Sequence, residues 1–162
     1  MKTNKLEINF QKSNYLLINL NGHQIPDLNI NIDSNIINRV FETKILGVFF
    51  DQLMAFNHQI DNICVKASKR VNLFYKLRYF LPKESLNLLY KALIQPLIDY
   101  SICDYGFTYQ THYKRIESLQ RRAAHVIISS DTDISIIYKN LKWFSFIDRR
   151  NYFASIFIFR MP

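Results

Sequence analysis

Ile60-Asp61-Asn62-Ile63-Cys64-Val65-Lys66-Ala67-Ser68-Lys69-Arg70-Val71-Asn72-Leu73-Phe74-Tyr75-Lys76-Leu77 is the stretch on which the fold turns. Its apolar residues Ile60, Ile63, Ala67, Val71, Phe74 and Leu77 recur at three- and four-residue intervals, which lines them along one side of an α-helix. Such a stripe is stable only against a partner, so the spacing predicts a helix packed on other helices. Lys66, Lys69, Arg70, Lys76 and the following Arg78 lie off the stripe, with Asp61 as the one acid of the segment. A one-sided basic face suits sequence-independent contact with a phosphate backbone; a plain solvated face is the alternative. Tyr75 and Tyr79 interleave with these charges, placed to stack or to hydrogen-bond.

Downstream the helical period continues. Pro82 stands at a helix start, where its missing N–H is not needed, and Leu86, Leu89, Leu93, Leu97 and Tyr100 carry the stripe onward, with Pro96 expected to kink or split it. Ile116, Leu119, Ala123, Val126 and Ile127 mark a third helix. Lys114, Arg115, Arg121 and Arg122 give it a second basic cluster, with Glu117 one turn before Arg121 as a partner. A fourth helix is expected from Ile134 to Leu141 and a last from Phe146 to Arg160. That last helix is apolar and lacks a C-cap glycine, so the chain is expected to be truncated there or packed against something else.

Upstream the period is two. Glu7-Ile8-Asn9-Phe10 and Leu28-Asn29-Ile30-Asn31-Ile32 alternate, and Tyr15 to Leu20 is an apolar run followed at once by Asn21-Gly22, a hairpin-turn signal. Pro26 makes its neighbourhood an edge or a loop. Lys44 to Asp51 reads as one buried strand ending in a polar turn. The expected fold is therefore α+β: a small antiparallel β-meander over residues 1–52, then a bundle of about four to five helices over residues 53–162.

Composition narrows the function. Of 162 residues, 49% are apolar and only three are glycine, which favours a packed, helix-rich chain over disorder or a β-barrel. The net charge of +8 points to an anionic partner, nucleic acid before a membrane surface. Cys64 and Cys103 are too few for a disulfide framework and suggest a reducing, intracellular compartment, nucleus or cytoplasm. The polar start offers no signal peptide, and no apolar run is long enough to span a bilayer. His58, Cys64, Cys103, His112 and His125 have no metal-ligand spacing. Asp131-Thr132-Asp133 reads as a helix N-cap.

Four segments, in order, resemble reverse transcriptases of non-LTR retrotransposons. Asn4-Lys5-Leu6-Glu7-Ile8-Asn9-Phe10-Gln11-Lys12-Ser13-Asn14-Tyr15 is similar to that family's motif D, just after its catalytic hairpin. Ile45-Leu46-Gly47-Val48-Phe49-Phe50-Asp51 resembles its primer-grip segment. His58 to Tyr100, with Leu81-Pro82 and Leu89-Tyr90-Lys91-Ala92-Leu93-Ile94-Gln95-Pro96, is similar to the start of its thumb. Ile116-Glu117-Ser118-Leu119-Gln120-Arg121-Arg122-Ala123, then Leu141-Lys142-Trp143 and Arg149-Arg150, resemble pieces found after the thumb. Each motif alone is weak; the four cover nearly the whole chain.

The resemblance implies the end of a palm followed by a thumb, from an RNA-directed DNA polymerase whose full-length form uses magnesium held by paired aspartates. No Asp-Asp pair occurs in the sequence, so this chain alone is expected to be inactive and to need no cofactor. In the parent enzyme Lys12 would be a general acid toward the pyrophosphate leaving group; in this chain a solvated lysine is the alternative. Leu46, Gly47 and Val48 would support a primer terminus, or Gly47 would be only a packing glycine. Expected partners are RNA, DNA or an RNA–DNA hybrid, bound without sequence preference through Lys66, Lys69, Arg70, Lys76, Arg78, Lys114, Arg115, Arg121 and Arg122, with a separate palm fragment as an open alternative; no membrane is expected. A relic reading frame without selected function and a helical protein-interaction module stay open.

Overall fold

The computed structural model describes residues 8–22, 26–130 and 132–159. The chain divides into two compact units at Phe56–Asn57. The first is a β unit and the second is helical, giving the α+β class that the change of period indicates.

In the β unit, β1 (Asn14–Leu16), β2 (Ile30–Ile32) and β3 (Asn35–Val40) form a three-stranded sheet in the order β1-β3-β2, and β4 (Glu42–Ile45) pairs with β5 (Val48–Asp51). The sheet is mixed and not a meander: β1 runs parallel to β3, with Asn14 opposite Asn38 and Leu16 opposite Val40, while β2 is antiparallel to β3. The expected hairpin at Asn21-Gly22 runs into residues 23–25, which lie outside the described residues; the chain bends at Gly22, with φ 69° and its N–H on the Asn19 carbonyl at 3.2 Å, and among the described residues β1 pairs with β3 alone. The two-residue hairpin turns fall at Asp33-Ser34 (φ 47° and 66°) and at Leu46-Gly47 (φ 48° and 91°). Positive φ at both central residues is the type I′ geometry that matches strand twist. Thus Lys44 to Asp51 is a hairpin and not one strand, because Ile45 pairs with Val48 across the turn.

Few residues of this unit are fully buried. Ile37, Val48, Ala55 and Phe56 form its small core, with Phe50 edge-on to Phe56 at 5.6 Å. Asp51 closes the unit. Its Oδ1 accepts the Leu53 and Ala55 amides, both at 3.0 Å, and its Oδ2 accepts the Phe56 amide at 2.6 Å. These charge-assisted bonds fix a tight turn in which Met54 and Phe56 adopt positive φ.

The helical unit contains α1 (Asn57–Leu77), α2 (Lys83–Leu93), α3 (Gln95–Asp99), α4 (Ile102–Tyr105), α5 (Gln110–Ile128), α6 (Ile134–Leu141) and α7 (Phe146–Phe159). Five of these correspond to the expected helices. Of the two additional short helices, α3 and α4, the first arises because Pro96, in its first turn, ends α2 at Leu93. The α1 stripe is buried as its spacing requires: Ile60, Ile63, Ala67, Val71 and Phe74 are all 3% exposed or less. Its main partner is α5, which contributes Ile116, Leu119, Ala123, Val126 and Ile127. Asp61 meets Arg115 and Asn72 meets Arg122, so both sequences ascend together and the two helices run parallel.

Polar ties lock the remaining helices. Trp143 stacks on Tyr90 at 3.6 Å and donates its indole N–H to Asn87 at 2.8 Å. Asp133 caps α6 by accepting the Ser135 amide at 2.7 Å, as an N-cap should; Asp131 lies outside the described residues. Ser145 and Asp148 cap the start of α7 reciprocally, with the Asp148 amide donating to Ser145 at 3.1 Å. Gly106 is required by contact: a Cβ there would lie 2.2 Å from the Ile102 carbonyl oxygen and 2.9 Å from Arg150 Cγ.

Candidate nucleic-acid interface

The basic residues of α1 separate into three environments. Lys66, Lys69 and Lys76 are exposed, opposite the buried stripe, and make no hydrogen bond or ion pair among the described residues. Arg70 is half-buried and donates to the Leu93 carbonyl, closing the C-terminal end of α2. Arg78 is half-buried among aromatic rings, 5.5 Å from the Tyr75 centroid and 4.9 Å from that of Tyr79, and its Nη2 donates to the Tyr79 hydroxyl at 2.7 Å.

On α5 the second cluster is also divided. Lys114 and Arg121 are exposed, Arg115 pairs with Asp61 at 2.6 Å, and Arg122 reaches Asn72 at 3.5 Å. The Asp61 hydrogen bond raises the Arg115 pKa above its ordinary value. Glu117 and Arg121 both act on Tyr138, whose phenol is pushed up to about 12, chiefly by burial. Among the described residues Lys66, Lys69, Lys76, Lys114 and Arg121 are thus exposed with no ion pair, whereas Arg70 and Arg115 already serve the fold.

In the β unit, Lys12 ends a single 3-10 turn, Phe10–Lys12, with an exposed side chain; Asn9 accepts its backbone N–H. Leu46 and Gly47 form the tip of the β4–β5 hairpin, where Leu46 is 87% exposed despite its apolar side chain and positive φ. Val48 points the other way, into the small core. Among the described residues no three His, Cys, Asp or Glu side chains come together.

Over 153 residues the chain is 25% identical to the probable RNA-directed DNA polymerase from transposon X-element of Drosophila melanogaster, a match covering 91% of this chain. The chain is reverse-transcriptase-related. It spans about 17% of the length of that relative. No family model and no solved structure matches it.

Within the helical unit, residues of the two later segments tie helices to one another. Gln120, buried on α5, donates to the Phe144 carbonyl at 2.8 Å. Arg149 grips the Asp99 carboxylate with two nitrogens, the second at 2.5 Å, and that partner raises the arginine pKa. Arg150 donates to the Gly106 carbonyl at 3.2 Å and covers the Phe107 ring at 4.5 Å. Gln120, Arg149 and Arg150 thus hold helices together, whereas Lys66, Lys69 and Lys76 stay exposed.

Sequence reasoning did not find the grouping of Tyr75, Arg78 and Tyr79 with His125, Ser129 and Ser130, which line one cleft where α1 and α5 end. The local signal was the spacing of Tyr75, Arg78 and Tyr79, one helical turn apart. The half from α5 is distant in sequence and carries no motif.

Proposed function

We propose that this chain is the duplex-holding portion of a non-LTR retrotransposon reverse transcriptase, the end of the palm plus the thumb, and that it binds RNA, DNA or a hybrid without sequence preference. The observation that carries this reading is the exposed, unpaired row Lys66, Lys69 and Lys76 on the solvent side of α1, in a chain related to a transposon polymerase along 91% of its length. Lysines act here as point charges on phosphate, aided by Lys114 and Arg121 on α5, and the gain comes from counterion release. The Leu46-Gly47 tip of the β4–β5 hairpin is the corresponding support for a primer end, and Lys12 serves as a general acid only when a complete palm supplies the triphosphate site. With no Asp-Asp pair in the sequence, this chain by itself does not extend a primer.

Binding of a labelled RNA–DNA hybrid across a series of salt concentrations tests the reading. Wild type should bind with affinity that falls steeply with salt, and changing Lys66, Lys69 and Lys76 together to Ala should reduce the log–log slope by about two to three. A folded chain that binds no hybrid at low salt refutes it.

A second reading, a module that pairs with another protein such as a separate palm fragment, is favoured by apolar surface. Ile36 is 71%, Leu46 87% and Phe159 89% exposed. Apolar pairing would show little salt dependence, which separates it from phosphate contact in the same titration.

A further inference from the structure

The cleft at the paired ends of α1 and α5 has a volume of about 540 Å³, within the range of small-molecule sites. Its chemistry is that of a platform for a flat ring. Tyr79 is 73% exposed and Tyr75 40%, so much of each aromatic surface is not used by the core. Arg78 stiffens the platform by lying over both rings and holding the Tyr79 hydroxyl at 2.7 Å. Guanidinium carries five N–H donors in one plane, and those not engaged by Tyr79 suit carbonyl or ring-nitrogen acceptors. On the opposite wall, His125 Nδ1 lies 2.9 Å from the Ser130 carbonyl. A carbonyl only accepts, so Nδ1 carries the hydrogen and Nε2 of the neutral ring is an acceptor for an amino group. The C-terminal ends of two helices meet here, and their partial negative charge disfavours a phosphate inside the cleft.

We propose that this cleft receives one unpaired nucleobase of a bound strand, stacked on Tyr79 and read by Arg78 and His125, while phosphates of the same strand lie on the α1 lysines. Lys76 stands one turn before Tyr79, which makes such a path short. The inference rests on the nucleic-acid binding proposed above and adds to it a preference for a duplex end with a single-stranded overhang.

The test compares a blunt RNA–DNA hybrid with the same hybrid bearing a four-nucleotide DNA overhang that contains 2-aminopurine, using the full chain. Wild type should bind the overhang substrate about ten-fold more tightly, as stacking of one base on an aromatic ring contributes, and the 2-aminopurine fluorescence should be quenched. Tyr79→Ala should abolish both the preference and the quenching, and Tyr79→Phe should keep them. Changing Lys66, Lys69 and Lys76 to Ala should weaken both substrates in proportion and leave the preference intact. Equal, salt-sensitive binding of the two hybrids by wild type overturns the cleft but leaves the lysine face standing. A preference that survives Tyr79→Ala also overturns it, and absence of binding to either hybrid overturns both readings.

Discussion

The helical unit and the β unit obey the same rules of local structure but differ in what they bury. In the helical unit, a single stripe on α1 meets a single stripe on α5, and large side chains such as Phe74, Tyr90 and Tyr105 are 2% exposed or less. In the β unit, Ile18, Leu20, Ile36, Phe41 and Leu46 are each more than half exposed, and the sheet has strands of three to six residues. Such short strands depend on a covering layer for stability. The difference teaches that the helical unit carries its own core, whereas the β unit is held mainly by turns and by the Asp51 clasp.

Four substitutions would break or sharpen that contrast. Phe74→Ala should cost about 3–5 kcal/mol in urea denaturation, since it empties a site that is 0% exposed. Ile37→Ala, in the β unit, should cost less than half of that; equal costs would erase the distinction. Next in size is the ion pair. Arg149→Ala removes the bidentate partner of Asp99, in a pair whose side chains are 19% and 18% exposed, and should cost about 2 kcal/mol. The comparable change in the β unit, Asp27→Ala, removes a partner of Arg39 that is 73% exposed and should cost no more than about 1 kcal/mol by the same measurement.

Leu46→Gly should act in the opposite direction. It relieves a positive φ at an exposed turn position and should stabilise the β unit by about 1 kcal/mol, read as slower amide exchange in β4 and β5. If the hairpin tip touches a primer, the same variant will bind hybrid less well although it is more stable. The smallest effect concerns Asp133. Hydrogen bonds from the Ser135 hydroxyl and amide hold its carboxyl below the ordinary carboxylate range. A folded-state pKa that is depressed contributes stability above the unfolded value, and this is lost as pH falls through the folded value. Asp133→Asn should therefore flatten the acid side of the stability profile and change little at neutral pH, because Asn also caps; an unchanged acid limb would show that the cap carries no charge dependence.

The helices were legible because burial imposes a period. The spacing from Ile60 to Phe74 needed only one buried side, and Pro96 divided the next segment as its chemistry requires. The strands were less legible. Asn21-Gly22 has the composition of a hairpin turn, yet tertiary pairing gave β1 a parallel neighbour, and the working turns used Asp33-Ser34 and Leu46-Gly47. Strand β3 escaped notice because Asn35, Asn38 and Arg39 interrupt its apolar residues. For the candidate interface, the sequence named nine basic residues alike; the exposure of Lys66, Lys69 and Lys76, and the seat of Arg70 at the end of α2, come from the fold. Tyr75 and Tyr79 were visible as aromatic residues among charges; their opposite wall on α5 depends on the fold alone.

The parallel pairing of α1 with α5 has a consequence for synthesis. An antiparallel neighbour would cover α1 soon after it left the ribosome, but the helix that covers it ends only at Ile128. At about 5–20 residues per second, the α1 stripe stays open for several seconds while α2, α3 and α4 are made. During that interval the nascent chain displays one long greasy seam flanked by lysines, the kind of transiently exposed surface on which aggregation starts.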